Sequence, residues 1–332
     1  MKDESRRDFI KKSATAIAGI TILPSYVVHD SAMDCPEAEI SSEHIRAKIY
    51  LPDIEKGYYR ATRFDWSGII FSLEYNGHQF SGPWFDKYDP EIHDAICGPV
   101  DEFAPVGFDE AKIGDEFLKI GVGLLRKSSV DYQRFGLYQI VNPGKWQIIR
   151  ENNRRIVFRQ VLESASFSCV YTKTVSLADD KPVLMLDYSL KNTGKQALES
   201  NVYNHNFFVI DRHVTGPDTV IAFPFKPEGQ WGNTENLALL HENKIRFTRN
   251  FQKGESVFMA DVQGFNPEEN YRFRIENHAA KAGVHITGNR PPLRIVFWAS
   301  YLTACPEPYI RLSVNPQEEF TWSNCFELYD IR

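Results

Sequence analysis

Two short stretches of this chain carry side chains suited to moving protons. Tyr203-Asn204-His205-Asn206-Phe207-Phe208 sets one histidine among apolar neighbours. A partly shielded imidazole can give or take a proton near neutral pH, which is general acid–base work. Ala304-Cys305-Pro306-Glu307-Pro308-Tyr309 places one glutamate between two prolines. Each proline removes a backbone donor and fixes the local path. Glu307 is therefore predicted to sit on a stiff turn just past an apolar strand, and a firmly held carboxylate suits a catalytic base. On residue type alone the plainer readings are the more common ones: His205 as a satisfied core residue and Glu307 as a surface glutamate at a strand end.

The elements that must position these residues read as strands. Ile69–Tyr75 runs into Asn76-Gly77, a two-residue hairpin signal. Two β runs lie between Arg155 and Leu177, closed by the turn Ala178-Asp179-Asp180-Lys181-Pro182. Leu184, Leu186, Tyr188 and Leu190 alternate with other residues and so line one face of a strand. Asn192-Thr193-Gly194-Lys195 is the next turn. A further apolar strand spans Leu293–Trp298, and a last one leads from Phe320 to about Tyr329. No sustained 3.6-residue apolar period follows the N-terminal segment. The regions 84–110 and 225–245 read as loops with room for short helices. About fifteen strands fit the body, which predicts an all-β, large two-sheet antiparallel β-sandwich, one domain over residues 40–332.

Composition narrows the function classes. Of 332 residues, 42% are hydrophobic and 13% aromatic, as a folded globule requires. The net charge of −6, with no basic run beyond the N-terminus, argues against nucleic acid as a partner. Five cysteines (Cys35, Cys97, Cys169, Cys305 and Cys325) form no CxxC pair, so no zinc site is expected. Buried thiols are the better reading, with Cys305–Cys325 the one conceivable disulfide. Ser5-Arg6-Arg7-Asp8-Phe9-Ile10-Lys11 precedes a weakly hydrophobic run from Ala14 to Leu23, ended by Pro24. This predicts a twin-arginine export signal over residues 1–34 and a periplasmic or other extracytoplasmic location. The run is too short and too rich in Thr and Gly to span a bilayer, so no stable membrane span is expected after processing.

The stretch from Leu184 to Phe208, with its Asn192-Thr193-Gly194 turn and Asn204-His205-Asn206-Phe207-Phe208, resembles the galactose mutarotase-like (aldose 1-epimerase) superfamily. The ending Pro316-Gln317-Glu318-Glu319-Phe320-Thr321-Trp322 is similar to that family's as well. The resemblance spans most of residues 50–330. It implies the large sandwich called a supersandwich, a catalytic pair of His205 and Glu307, and Arg63 as the family's early arginine. It also implies Asn204 and Arg63 as holders of ring hydroxyls and His93 as the replacement for a second histidine, with Gly98-Pro99-Val100-Asp101-Glu102-Phe103 as the other candidate loop there. The family's His-Gly-Gly run is absent here. Trp298 is a candidate to stack on a sugar ring, core packing being its plainer role.

Such a pair would interconvert sugar anomers by opening and closing the hemiacetal without cofactor or metal. Glu307 is expected as base and protonated His205 as acid. The partner is then a small-molecule sugar or oligosaccharide. A non-catalytic carbohydrate-binding or accessory protein on the same fold is the alternative. The sequence leaves the oligomeric state open.

Overall fold

The computed structural model describes residues 34–232 and 236–332. The export signal expected over 1–34 lies almost wholly outside the described residues. Twenty-two strands and no helix occur among the described residues, so none offers a helix long and apolar enough to cross a membrane.

A four-stranded sheet comes first, with β1 (Glu37–Ser41), β2 (Ile45–Tyr50), β3 (Ile69–Tyr75) and β4 (His78–Gln79) in sequence order. Asn76 and Gly77 join the last two with φ of 49° and 85°, the left-handed pair that a tight hairpin needs. β5 (Val100–Phe103) follows, then a three-stranded sheet of β6 (Glu116–Lys119), β7 (Gly123–Arg126) and β8 (Ile140–Asn142). β9 (Lys145–Asn152), β10 (Arg155–Leu162), β11 (Cys169–Leu177) and β12 (Val183–Asn192) form one half of a large sheet. After β13 (Leu198–His205), the other half begins with β14 (Thr219–Ala222), β15 (Ala238–His241) and β16 (Lys244–Phe247). The remaining strands are β17 (Ser256–Met259), β18 (Arg272–Asn277), β19 (Ala282–Gly288), β20 (Arg294–Ser300), β21 (Ala304–Val314) and β22 (Glu319–Asp330).

The large sheet has ten strands in the order β15-β16-β14-β18-β19-β22-β12-β11-β10-β9. A second, five-stranded sheet runs β17-β20-β21-β13-β5, all antiparallel. Strand alternation explains how the two meet. Leu184, Leu186, Tyr188 and Leu190 are buried on β12 while Asp187 and Lys191 are exposed. Facing them, Ile295 and Phe297 of β20 and Leu312 and Val314 of β21 join the same apolar cluster. Phe103 of β5 packs edge-on against Tyr171 and Trp322 across the gap. This is the two-layer sandwich expected from the sequence.

Several local expectations need correction. The described residues of 84–110 and 225–245 hold no helix but do hold β5, β15 and the start of β16. These strands are only four residues long, too short for alternation to stand out from loop sequence. Glu307 is not on a turn. It lies within β21, flanked by Pro306 and Pro308. The β13–β21 ladder ends at Tyr203↔Tyr309, and beyond it the Pro306 carbonyl accepts from Asn206 Nδ2 at 2.7 Å. The prolines thus turn their missing N–H groups to a stretch with no ladder left to break, where proline is tolerated inside a sheet. Cys305 and Cys325 form no disulfide: Cys305 lies on the outward face of its sheet, and Cys325, next to the inward Phe326, lies on the outer face of the other sheet.

Candidate active site

The outward face of the five-stranded sheet is built in rows. β13 and β21 pair in a register that includes Val202↔Ile310 and Tyr203↔Tyr309. Continuing that register past its last pair sets His205 opposite Glu307. Their side chains meet, with Nε2 of His205 3.2 Å from Oε1 of Glu307, and both groups are buried. The adjoining row runs Arg294, Tyr309, Tyr203, Glu102 across β20, β21, β13 and β5. On the other side, Phe258 pairs with Trp298 and Trp298 with Cys305.

Period-two geometry decides which neighbours join the site. Tyr203 and His205 project outward. Asn204, between them, points the other way, and its Nδ2 donates to Asp101 Oδ1 at 2.9 Å between the sheets. The structure therefore withdraws Asn204 from direct contact with a guest in the cavity. His93 is also set back. It is absent from the cavity wall, where its neighbour Asp94 stands instead, 2.9 Å from the His93 ring.

Loops close over this face. A cavity of about 220 Å³ is lined by Arg63, Trp84, Asp94, Arg134, Phe135, His205, Phe207, Phe258, Trp298 and Glu307. Of the residues singled out in the sequence, His205, Glu307, Arg63 and Trp298 meet here. The His205 ring stacks on Phe207 at 3.6 Å between centroids and takes edge contacts from Trp298 and Phe64. Phe207 in turn stacks on Trp84 at 4.7 Å. These contacts fix the plane of the imidazole. Nδ1 is enclosed without a hydrogen-bond partner, so Nε2 is the edge free to exchange a proton.

Burial sets the protonation of the pair. Removal from water pushes the Glu307 carboxyl up to about 8, although Arg134 and Arg63 pull the other way. It pushes His205 well below the ordinary imidazole value, and the Arg63 charge adds to that. At neutral pH the single proton of the pair rests on Glu307, and His205 is uncharged. The expectation of a protonated His205 is corrected accordingly: an enclosed aromatic box disfavours an imidazolium.

Behind the cavity, Glu102 gathers the cations. It accepts from Arg63 Nε at 2.8 Å, from Arg134 Nε and Nη2 at 2.9 Å each, and from the Tyr203 hydroxyl at 2.6 Å. Lys119 Nζ lies 4.0 Å away. Burial alone would raise the Glu102 pKa, but Arg63, Lys119 and Arg134 hold it below the usual carboxylate range. Arg63 also bonds Asp94 and donates to Tyr203 at 3.2 Å. Sequence reasoning missed Arg134 and gave no role to Asp94 beside His93 or to Glu102 within the Gly98–Phe103 loop, since none carries a motif of its own. A larger groove of about 1120 Å³ beside Ala104–Ala111 brings together no such acid–base pair. Among the described residues, no group of three or more His, Cys, Asp or Glu is placed to hold a metal ion.

No family model matches the chain, and no curated protein matches it in sequence. Solved structures do resemble it. One is a protein from Synechocystis sp., 12% identical, with a TM-score of 0.54 over 92% of this chain and 99% of that one. A galactose mutarotase-related enzyme from Lactobacillus acidophilus gives 12% identity and a TM-score of 0.51 over 89% of this chain and 99% of that one. A galactose mutarotase-like protein from Lactobacillus casei gives 12% and 0.51 over 88% of this chain and 100% of that one. At this identity the likeness speaks for architecture, and it covers nearly the whole of each partner. With twenty-two strands in antiparallel sheets among the described residues, this chain has the galactose mutarotase-like β-sandwich fold.

Proposed function

We propose that the chain is an aldose 1-epimerase-type enzyme that interconverts the anomers of a sugar through the His205–Glu307 pair. The supporting observation is the 3.2 Å contact of a neutral imidazole and a protonated carboxyl at the floor of a sugar-sized cavity with aromatic walls. In ring opening, His205 takes the proton of the C1 hydroxyl while Glu307 gives its proton to the ring oxygen. The C1–ring-oxygen bond breaks and a carbonyl forms at C1. Rotation about C1–C2 and the reverse transfers close the ring on the other face. The pair holds one proton throughout, apart from its brief passage as a carboxylate and an imidazolium, so neither cofactor nor metal enters the step. Trp298 and Trp84 offer flat apolar surfaces to the ring, and Arg63, although each of its nitrogens bonds once within the protein, keeps a second N–H on each Nη for the ring hydroxyls. The twin arginine at Arg6-Arg7 supports placing this work outside the cytoplasm.

The test is polarimetry on fresh α-anomers of a panel of aldoses. Acceleration above buffer that vanishes in Glu307→Gln supports the reading. No acceleration with any sugar, alongside measurable sugar binding, replaces it with that of a carbohydrate-binding protein on this fold.

A further inference from the structure

We propose that the cavity takes an aldose bearing a single carboxylate, and that Arg134 receives that group. The inference rests on the sugar reading above and deepens it. On the cavity wall and directly behind it stand three cations, Arg63, Arg134 and the buried Lys119, against the carboxylates Glu102 and Asp94, the Glu307 carboxyl keeping its proton. Glu102 is shared by all three cations, so one positive charge is left over in a largely enclosed place. Charge in such surroundings is costly until a partner arrives.

The hydrogen bonds show which cation is uncommitted. Arg63 spends Nε on Glu102, Nη1 on Asp94 and Nη2 on Tyr203. Arg134 directs Nε and Nη2 at Glu102, and Nη2 also at Tyr203, while its Nη1 bonds to no described residue. Arg134 lines the cavity and its side chain keeps 37% of its exposure, against 7% for Arg63. A guanidinium with one free edge is suited to a planar carboxylate, to which it gives short, charge-assisted bonds. The surplus of one charge matches a monoanion better than a doubly charged phosphate. Trp84, Phe135, Phe258 and Trp298 supply the apolar faces that a sugar ring, rather than a bare anion, would use.

The experiment is calorimetric titration of the whole chain at pH 7 and low salt with D-glucuronate, D-galacturonate, D-glucose, D-galactose and D-glucose 6-phosphate. The expected result is that one uronate binds about tenfold or more tighter than the neutral hexose of the same ring configuration. The advantage should shrink as salt is added. Arg134→Gln should bring the two within about twofold, and Arg134→Lys should restore part of the gap. Neutral hexoses bound as tightly as uronates, tighter binding of the phosphate, absence of uronate binding, or a preference that survives Arg134→Gln would each overturn the assignment. Neutral hexoses mutarotated without any uronate preference would sink this inference alone. Uronate bound but never mutarotated would sink the catalytic reading alone.

Discussion

Asp101 and Glu102, neighbours on β5, send their carboxylates to opposite faces of the five-stranded sheet. Asp101 turns inward, where it accepts from Asn204 at 2.9 Å and from the Tyr188 hydroxyl at 2.8 Å and lies 3.1 Å from Lys173 Nζ. Glu102 turns outward to Arg63, Arg134 and Tyr203. One short strand thus ties the interior of the sandwich to the wall of the cavity. A disturbance on either face of it has a route to the other.

If His205 and Glu307 carry the proton transfers, conservative removal of either should cost far more rate than stability. Glu307→Gln and His205→Asn are each expected to lower the mutarotation rate about 10²–10⁴-fold. Polarimetry gives the rate and thermal melting the stability. A loss of less than tenfold in both variants would take the pair out of the chemistry.

The pH profile follows from where the proton rests. Catalysis needs one proton on the pair. Raising the pH through about 8 strips Glu307 and leaves no acid, so the rate should fall on that side. Lowering the pH should protonate His205 only well below the usual imidazole range, so the acid limb lies under 6.5. Rates corrected for the buffer reaction check this. An acid limb at or above ordinary imidazole values would mean that His205 starts charged.

Lys173 is fully buried between the sheets, with Asp101 at 3.1 Å and Asp65 at 3.5 Å. Burial lifts the Asp65 carboxyl to about 6, against the pull of Lys173, so the group is held by its cation rather than by solvent. Lys173→Met strands two carboxyls in the core and should cost about 3–5 kcal/mol in urea unfolding. Adding Asp101→Asn should recover part of that loss, since removing both charges is far less harmful than removing one. Equal stability of Lys173→Met and the parent would show that the ion pairs carry no weight.

Trp298 is half-buried and touches both His205 and Trp84 edge-on. Trp298→Ala should remove a stacking surface worth about 0.5–1.5 kcal/mol and raise KM up to about tenfold. Because the His205 ring also leans on it, a smaller fall in kcat is expected. Initial rates at varied sugar concentration separate the two, and an unchanged KM would assign Trp298 to packing alone.

The long strands and the meeting of His205 with Glu307 were legible in the sequence, and for good physical reasons. Strands such as β12 and β22 alternate over ten to twelve residues, enough for the period to show. His205 and Glu307 sit in unusual local company, an Asn-His-Asn run and a Pro-Glu-Pro triplet. The rest was hidden. Arg134 and Asp94 reach the cavity from loops whose path depends on the whole fold. Glu102 has an unremarkable neighbourhood in the chain and acquires three cations only in space. Asn204 was misassigned for a simpler reason: once β13 is extended, consecutive residues must part to opposite faces. The turn expected at Pro306-Glu307-Pro308 failed because β20 pairs with β21 right through it while the ladder to β13 has already ended, a fact of pairing that no local reading contains.

The register of β13 against β21 has a consequence for how such a protein can diversify. His205 and Glu307 are set by backbone pairing, His205 opposite Val100 of β5 and Glu307 opposite Val296 of β20, whereas Arg63, Trp84, Asp94, Arg134 and Phe135 all hang from connecting segments. Insertions and exchanges in those segments can reshape what is admitted while the spacing of His205 and Glu307 stays fixed by the strands that carry them. Selectivity and reactivity are therefore separable by inheritance: one can drift while the other stands still.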